Sequence, residues 1–237
     1  TCEKGEFLLE VARRNGFYIP TLCHHPGVAE QGCCRVCLVE VVENKRSKIV
    51  VSCVYPVEQP CEVYTDSARV REDRGAVLML LAARAPESTE IKALCKQYGA
   101  MDGSRFAPIE GEKCIMCGLC ARACASLGTG AISTVMRGTS KKISTPYDEP
   151  SSACIGCLSC AKICPTRAID FAEDEKTRSI WGREFELIHC KECGAAVGTK
   201  EEMDYAAMRC GEEPTYLCPD CRKKKMADVM AHAYGAE

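Results

Sequence analysis

The spacing of hydrophobic and polar residues predicts short secondary-structure elements in the first half of the chain. Apolar residues at positions 7, 8, 11 and 12 predict a short amphipathic helix. Alternating apolar residues directly after Cys37, and again over residues 48–51, predict two strands. Residues 71–84 are rich in leucine and alanine and predict a helix, and a second helix is predicted over residues 90–98.

The last third of the chain continues this mixture. Residues 179–189 alternate between apolar and polar around Gly182, which predicts a hairpin. Residues 200–210 and 222–234 predict helices, and the second of these carries an apolar face made of Met226, Val229, Met230 and Ala233. The pattern predicts an α+β fold. The apolar runs are far shorter than the roughly 18 residues of a membrane span, so direct membrane insertion is not expected.

The composition is unusual in its content of cysteine. Cysteine accounts for 21 of 237 residues, whereas aromatic residues make up only 6%. The cysteines are odd in number and mostly lie in pairs separated by two residues. This usage favours metal ligation in a reducing compartment over disulfides, so a cytoplasmic protein is expected. The formal charge is −2 and no basic patch is interleaved with aromatic residues, so no nucleic-acid partner is expected.

Two cysteine runs with the same spacing lie in the middle of the chain. Each is C-x2-C-x2-C-x3-C, the spacing that binds [4Fe–4S] clusters in bacterial ferredoxins, and Pro165 directly follows the second run. Three closely spaced thiolates converge on one cluster, and the fourth binds the other. We therefore predict one cluster on Cys114, Cys117, Cys120 and Cys164, and another on Cys124, Cys154, Cys157 and Cys160. A disulfide scaffold or a pair of zinc sites is disfavoured by two matching runs.

Over residues 110–172 the chain resembles the two-cluster ferredoxin family. A second resemblance lies nearer the N-terminus, in the segments IPTLCHHPG, CRVCLVEV and SCVYPV. They resemble the N-terminal [2Fe–2S] domain of the large iron–sulfur subunit of complex I, which also occurs in NAD-linked hydrogenases, formate dehydrogenases and electron-bifurcating complexes. The resemblance implies a plant-type-like β-grasp domain whose ligands are Cys23, Cys34, Cys37 and Cys53, with Cys33 as the rival of Cys34.

Relatives of this kind open with a hairpin and carry a further [4Fe–4S] cluster bound by one histidine and three cysteines. About ten N-terminal residues are therefore expected to be missing here. No histidine lies between His25 and His189, and Cys95 is the only cysteine between Cys61 and Cys114, so the histidine-ligated cluster cannot form. We predict four regions: a [2Fe–2S] domain (1–70), a helical connector (71–112), a two-[4Fe–4S] domain (113–172) and a tail (173–237).

The tail contains two further C-x2-C pairs that have the spacing of a zinc ribbon. We predict a zinc-ribbon-like site on Cys190, Cys193, Cys218 and Cys221. A third [4Fe–4S] cluster is the competing interpretation, although the triplet spacing typical of such clusters is absent. Cys210 and His189 are spare potential ligands.

These features predict an electron-transfer subunit with one [2Fe–2S] and two [4Fe–4S] clusters. No dinucleotide, phosphate-loop or nucleophile motif is visible, so catalysis is expected on partner subunits. The resemblance implies flavin- and NAD(P)-binding oxidoreductase partners, and possible exchange with soluble ferredoxin. The whole complex would be a hydrogenase, a formate dehydrogenase or an electron-bifurcating transhydrogenase. The alternatives are a freely diffusing polyferredoxin, which would not need the tail, and a cluster-based redox sensor, which would need an output domain.

Overall fold

A computed structural model describes residues 1–100 and 106–235 of the chain. The N-terminal part is an antiparallel sheet of order β2-β1-β3 with one helix packed against it. Its elements are α1 (Leu8–Arg14), β1 (Leu38–Glu43), β2 (Arg46–Val51) and β3 (Glu62–Tyr64). Leu9 of the helix and Val39 and Val41 of the central strand form the buried core, which confirms the alternation predicted after Cys37.

Two helices, α2 (Ala68–Arg84) and α3 (Thr89–Tyr98), follow this sheet. The Oγ atoms of Ser67 and Ser88 accept hydrogen bonds from the third residue beyond them, so each serine caps its helix as such residues prefer to do. The predicted boundary between residues 70 and 71 falls inside α2. Part of the predicted connector, residues 101–105, lies outside the described residues.

A buried arginine joins α2 to the sheet. The guanidinium of Arg74 is 1% exposed, and its nitrogens donate to the carbonyl oxygens of Val36 and Leu38 at 3.1 and 2.7 Å. It also stacks on Tyr98 of α3, 4.7 Å from the ring centre. The helical connector is therefore fixed to the N-terminal sheet through polar contacts as well as apolar packing.

The middle of the chain consists of short elements around the two cysteine runs. They are α4 (Leu119–Leu127), β4 (Ser133–Val135), β5 (Lys142–Ser144) and α5 (Ser159–Lys162). One apolar core contains Cys34 and Val36 of the N-terminal part, Leu78 of α2, and Cys117 and Leu119 of the first run. The first three predicted regions thus share a single core.

The last part of the chain is a four-stranded antiparallel sheet followed by two helices. The elements are β6 (Phe171–Glu173), β7 (Thr177–Ile180), β8 (Arg183–His189), β9 (Ala196–Thr199), α6 (Lys200–Cys210) and α7 (Pro219–Ala233). The hairpin predicted around Gly182 is confirmed. The predicted boundary between residues 172 and 173 falls inside β6, and Phe185 of β8 packs with Leu158 of the second run.

The apolar face predicted on the terminal helix is present in α7 but is not packed against the described residues. Met226, Val229 and Met230 are each more than half exposed. Among the described residues, no helix has the length and apolar character needed to cross a bilayer.

Candidate metal centres

Four cysteines from the first sixty residues meet in the N-terminal part, and we call them the N-terminal set: Cys23, Cys34, Cys37 and Cys53. Each is at most 5% exposed. Two thiols lie in the loop before β1, one directly precedes β1, and one follows β2. The backbone N–H of Cys34 donates to Cys23 Sγ at 3.3 Å. The set therefore combines complete burial with a backbone donor directed at sulfur, which is the environment of a cluster thiolate.

The thiols of the N-terminal set shift one another's pKa in two pairs. A hydrogen bond from Cys23 lowers the pKa of Cys34 to about 7, and one from Cys53 lowers the pKa of Cys37 to about 6. The same bonds raise the pKa of Cys23 and Cys53. Two pairs of thiolates suit a core of two irons.

Exposure and neighbouring groups distinguish the candidate ligands around the N-terminal set. Cys33 is exposed, while Cys34 is buried with the rest of the set. His24 has a nearly buried ring, whose nitrogens lie 3.2 Å from a carboxylate oxygen of Glu10 and 2.6 Å from one of Glu30. These carboxylates, and not the thiols, are therefore the neighbours of both its ring nitrogens.

The two ferredoxin-type runs line separate cavities. The first set lines a cavity beside α2 and β5, and its members are Cys114, Cys117, Cys120 and Cys164. The second set lines a cavity beside α4 and β7, and its members are Cys124, Cys154, Cys157 and Cys160. Each cavity thus takes three cysteines from one run and the fourth from the other. This is the exchange of ligands expected from the spacing.

Both runs bend around their cavities in the same way. The residues before and after the second cysteine have positive φ in each run: Met116 and Gly118 in the first, and Gly156 and Leu158 in the second. Such left-handed residues turn backbone N–H groups inward, and Met116 N–H donates to Cys114 Sγ at 3.3 Å. The backbone therefore offers donors to an anionic group held between the thiols.

Burial keeps these thiols protonated in the absence of a positively charged partner. It raises the pKa of Cys117 and Cys120 to about 12, and that of Cys160 to about 11. Coordinated iron reverses this preference, because the thiolate and not the thiol binds metal. Buried, converging thiols with backbone donors therefore fit a cluster.

Arg122 of α4 connects the N-terminal set to the first set. Its Nη2 atom donates to the carbonyl oxygens of Cys23 at 3.1 Å and Cys117 at 3.3 Å. Its Nη1 atom donates to the carbonyl oxygen of Ala29. One guanidinium thus joins the backbones of two ligand loops that are 94 residues apart in the chain. Nothing in the local sequence marks Arg122 for this role.

The second set is surrounded instead by the C-terminal sheet. Arg183 Nη1 donates to the carbonyl oxygens of Ser151, Ser152 and Cys154 at 3.0, 3.0 and 2.6 Å. Arg178 Nη1 donates to the carbonyl oxygen of Gly156 at 2.9 Å. Arginines of β7 and β8 therefore hold the loop that carries the second set, and no local sequence pattern indicates this contact.

The two C-x2-C pairs of the tail come together, and we call them the C-terminal set: Cys190, Cys193, Cys218 and Cys221. Their sulfurs all lie within 4.8 Å of one another, and within residues 1–100 and 106–235 no other group of cysteines, histidines or carboxylates is gathered this tightly. A hydrogen bond from the backbone N–H of Cys218 lowers the pKa of Cys190 to about 6. The predicted spare ligands Cys210 and His189 do not belong to the group.

Two domain families match the chain. Residues 1–68 match the 2Fe-2S iron-sulfur cluster binding domain, and residues 107–171 match the 4Fe-4S dicluster domain. The first match contains the N-terminal set, and the second contains the first and second sets. Together with the fold, they define an iron–sulfur protein with one 2Fe-2S domain and one 4Fe-4S dicluster domain.

More particularly, the chain is homologous to iron–sulfur subunits of NAD(P)-linked hydrogenases and of complex I. It is 29% identical over 201 residues to the NADP-reducing hydrogenase subunit HndD of Solidesulfovibrio fructosivorans, covering 70% of this chain and 33% of the relative. It is also 29% identical over 170 residues to the NADH-ubiquinone oxidoreductase 75 kDa subunit of Reclinomonas americana, covering 60% of this chain and 24% of the relative. The sequence resemblance is thereby confirmed.

A solved structure is also similar. The NAD+-reducing [NiFe]-hydrogenase in its H2-reduced state contains a chain with 27% identity and a TM-score of 0.60, and the match covers 71% of this chain and 81% of that chain. This chain spans only about a quarter to a third of the length of the two sequence relatives.

Proposed function

We propose that this chain relays single electrons through three iron–sulfur clusters between subunits of an NAD(P)-linked oxidoreductase complex. The N-terminal set would hold a [2Fe–2S] cluster, and the first and second sets would each hold a [4Fe–4S] cluster. One observation carries the proposal: the ligand sets form a connected series. Arg122 joins the loops of the N-terminal set and the first set, and the first and second sets line adjacent cavities that share one side chain, Trp181.

When bound, the clusters supply one-electron carriers. The chain's own residues exclude water, fix the ligand loops and supply positive charge near the thiolates. Arg74 and Arg122 place two guanidinium groups in hydrogen-bond contact with backbone that is part of, or next to, ligand loops. Fixed charges and buried ligands limit the structural change that occurs when an electron enters or leaves a cluster. This favours electron transfer over a chemical reaction at the cluster.

The homologues support a proposal about the partners. The relatives are a subunit of an NADP-reducing hydrogenase, a subunit of NADH-ubiquinone oxidoreductase and an NAD+-reducing [NiFe]-hydrogenase. We infer that flavin- and NAD(P)-binding subunits dock with this chain and that catalysis takes place on them. A hydrogenase, a formate dehydrogenase and an electron-bifurcating transhydrogenase each fit this arrangement.

The C-terminal set is proposed to bind one structural Zn²⁺. Four thiolates around one tetrahedral zinc lie about 3.8 Å apart, given Zn–S bonds of about 2.3 Å. Cys193 Sγ and Cys218 Sγ are 3.6 Å apart. A [4Fe–4S] cube binds its thiolates through four different irons and so spreads them farther. The close gathering of this set therefore supports a single ion.

Anoxic purification of the tagged chain from its native host tests the relay. Recovery with a flavin- and NAD(P)-binding subunit is expected, and the remaining subunits would identify the substrate. Recovery of the fully iron-loaded chain alone would contradict the proposal and favour a diffusing carrier.

Metal counting on the same material tests the ligand assignments. We expect about ten iron atoms and one zinc per chain. About fourteen iron atoms without zinc would mean a third [4Fe–4S] cluster, and about eleven without zinc would mean a single iron ion in the C-terminal set. Either result would overturn the zinc assignment and leave the relay intact.

A further inference from the structure

Trp181 is the only tryptophan of the chain and lies beyond the residues that either domain family matches. It occupies the first position of the two-residue turn between β7 and β8, where Ile180 pairs with Arg183. Trp181 and Gly182 both have positive φ, 54° and 72°. Turns of this kind favour asparagine, aspartate or glycine at the first position. A bulky residue there is strained, so the local sequence does not account for tryptophan.

A tertiary contact does account for it. The indole Nε1 atom of Trp181 donates to Cys160 Sγ at 3.5 Å, and the same side chain lines the cavities of both the first and the second set. Cys120 holds the place in the first run that Cys160 holds in the second, and burial is the main cause of its raised pKa. Within residues 1–100 and 106–235, the tail therefore gives the second set a side-chain donor that the first set does not receive at this position.

We propose that Trp181 selectively raises the reduction potential of the cluster held by the second set, and so determines the potential difference between the two [4Fe–4S] clusters. The inference rests on the proposed occupancy of these sets. One-electron reduction adds one negative charge to the cluster and its thiolates. An N–H donor to a ligand sulfur stabilises that added charge more than the oxidised form, and hydrogen bonds to sulfur are among the factors that set such potentials.

The hydrogen bond from Trp181 to Cys160 is distinct from the contacts that hold the loop of the second run. Arg183 and Arg178 donate to the carbonyl oxygens of Cys154 and Gly156 in the second run, and Phe185 packs against Gly156. Trp181 contributes its N–H to sulfur itself. Removing that N–H alone should therefore leave the fold and the iron content unchanged while it alters one potential.

Because the chain has a single tryptophan, its indole N–H can be removed by replacing one atom of the ring. Biosynthetic replacement of tryptophan by benzothienylalanine, which has sulfur in place of the indole N–H and a nearly identical shape, changes only Trp181 in this chain. Each [4Fe–4S] cluster would then be titrated anoxically with EPR detection. Cys157→Ser, which alters one ligand of the second set, identifies the second cluster's signal.

The second cluster is expected to become harder to reduce. At the potential where half of it is reduced in the native protein, less than half should be reduced in the analogue protein, while the first cluster is unchanged. Trp181→Phe should shift the second cluster in the same direction. Tyr234→Phe, at an exposed aromatic residue elsewhere in the tail, should shift neither.

An unchanged second cluster, or equal shifts in both clusters, would overturn the inference. A ¹⁵N-labelled indole should give a nuclear coupling in pulsed EPR of the reduced second cluster, and its absence would also overturn it. If Trp181→Phe fails to assemble, the analogue protein decides. If the native protein lacks one [4Fe–4S] signal and the matching iron, the proposed function fails, and that result is distinct from a missing shift.

Discussion

The two ferredoxin-type runs have the same cysteine spacing and the same backbone bends, but opposite neighbours. The first run packs against the N-terminal part, and Arg122 ties it to the loop of Cys23. The second run packs against the C-terminal sheet, where Arg183 and Phe185 hold it. Spacing fixes which thiols converge, whereas the surroundings of each set come from distant segments. Two sites built from one motif can therefore differ in stability and potential.

The difference is sharpest at the residue before the second cysteine. In the first run this is Met116, whose side chain lines the cavity of the first set. In the second run it is Gly156, and a Cβ added there would lie 2.8 Å from the ring of Phe185 and 2.9 Å from Thr199 Cγ2. At this left-handed position, the first run therefore has space for a side chain and the second run does not.

The largest effect is expected from Gly156→Ala. The new Cβ collides with the buried Phe185, and alanine at φ 68° is also strained. The combined cost is about 3 kcal/mol, from strain and overpacking. We expect the second [4Fe–4S] cluster to be lost, together with about four iron atoms per chain. Iron analysis and EPR of the anoxic protein measure this directly.

Gly118→Ala is the matched control. Its φ is 71°, but among the described residues an added Cβ meets only the end of the Gln31 side chain, at 3.5 Å. This variant bears the strain without the collision and should keep both [4Fe–4S] clusters. Equal losses from the two substitutions would show that backbone strain, and not the collision with the C-terminal sheet, causes the loss of a cluster.

An intermediate effect is expected from Arg122→Leu. The substitution removes three hydrogen bonds to carbonyl oxygens and should lower the free energy of unfolding by about 2 kcal/mol. It should also weaken the spin coupling between the reduced [2Fe–2S] and first [4Fe–4S] clusters, because their loops are no longer joined. Anoxic urea titration and EPR of the fully reduced protein test these two expectations.

Arg167→Leu is the control for loss of an arginine. The Arg167 side chain is 88% exposed and makes one surface ion pair with Glu90 at 3.5 Å. Surface pairs of this kind contribute little to stability. If both arginine variants behave alike, Arg122 does not link the two loops.

Much of this architecture could be predicted from the sequence. Cysteine spacing indicates the ligand sets, and Ser88 and Gly182 mark a helix start and a hairpin turn because caps and turns depend on adjacent residues. The contacts of Arg122 and Arg183 could not be predicted, since each joins segments far apart in the chain. The pairing of β6, which contains the predicted boundary near residue 172, with β7 of the tail is likewise a tertiary contact.

The smallest effect is expected from Met116→Gly, the reverse of the change at Gly156. Glycine relieves the strain of φ 56° but adds conformational freedom to the unfolded chain, and these contributions nearly cancel, leaving a net change below about 1 kcal/mol. Both [4Fe–4S] clusters should be retained, with cluster absorbance lost at nearly the native urea concentration. Loss of the first cluster would mean that the Met116 side chain is needed to close the cavity of the first set, just as Phe185 is needed to support the second run. The contrast between the two runs would then disappear.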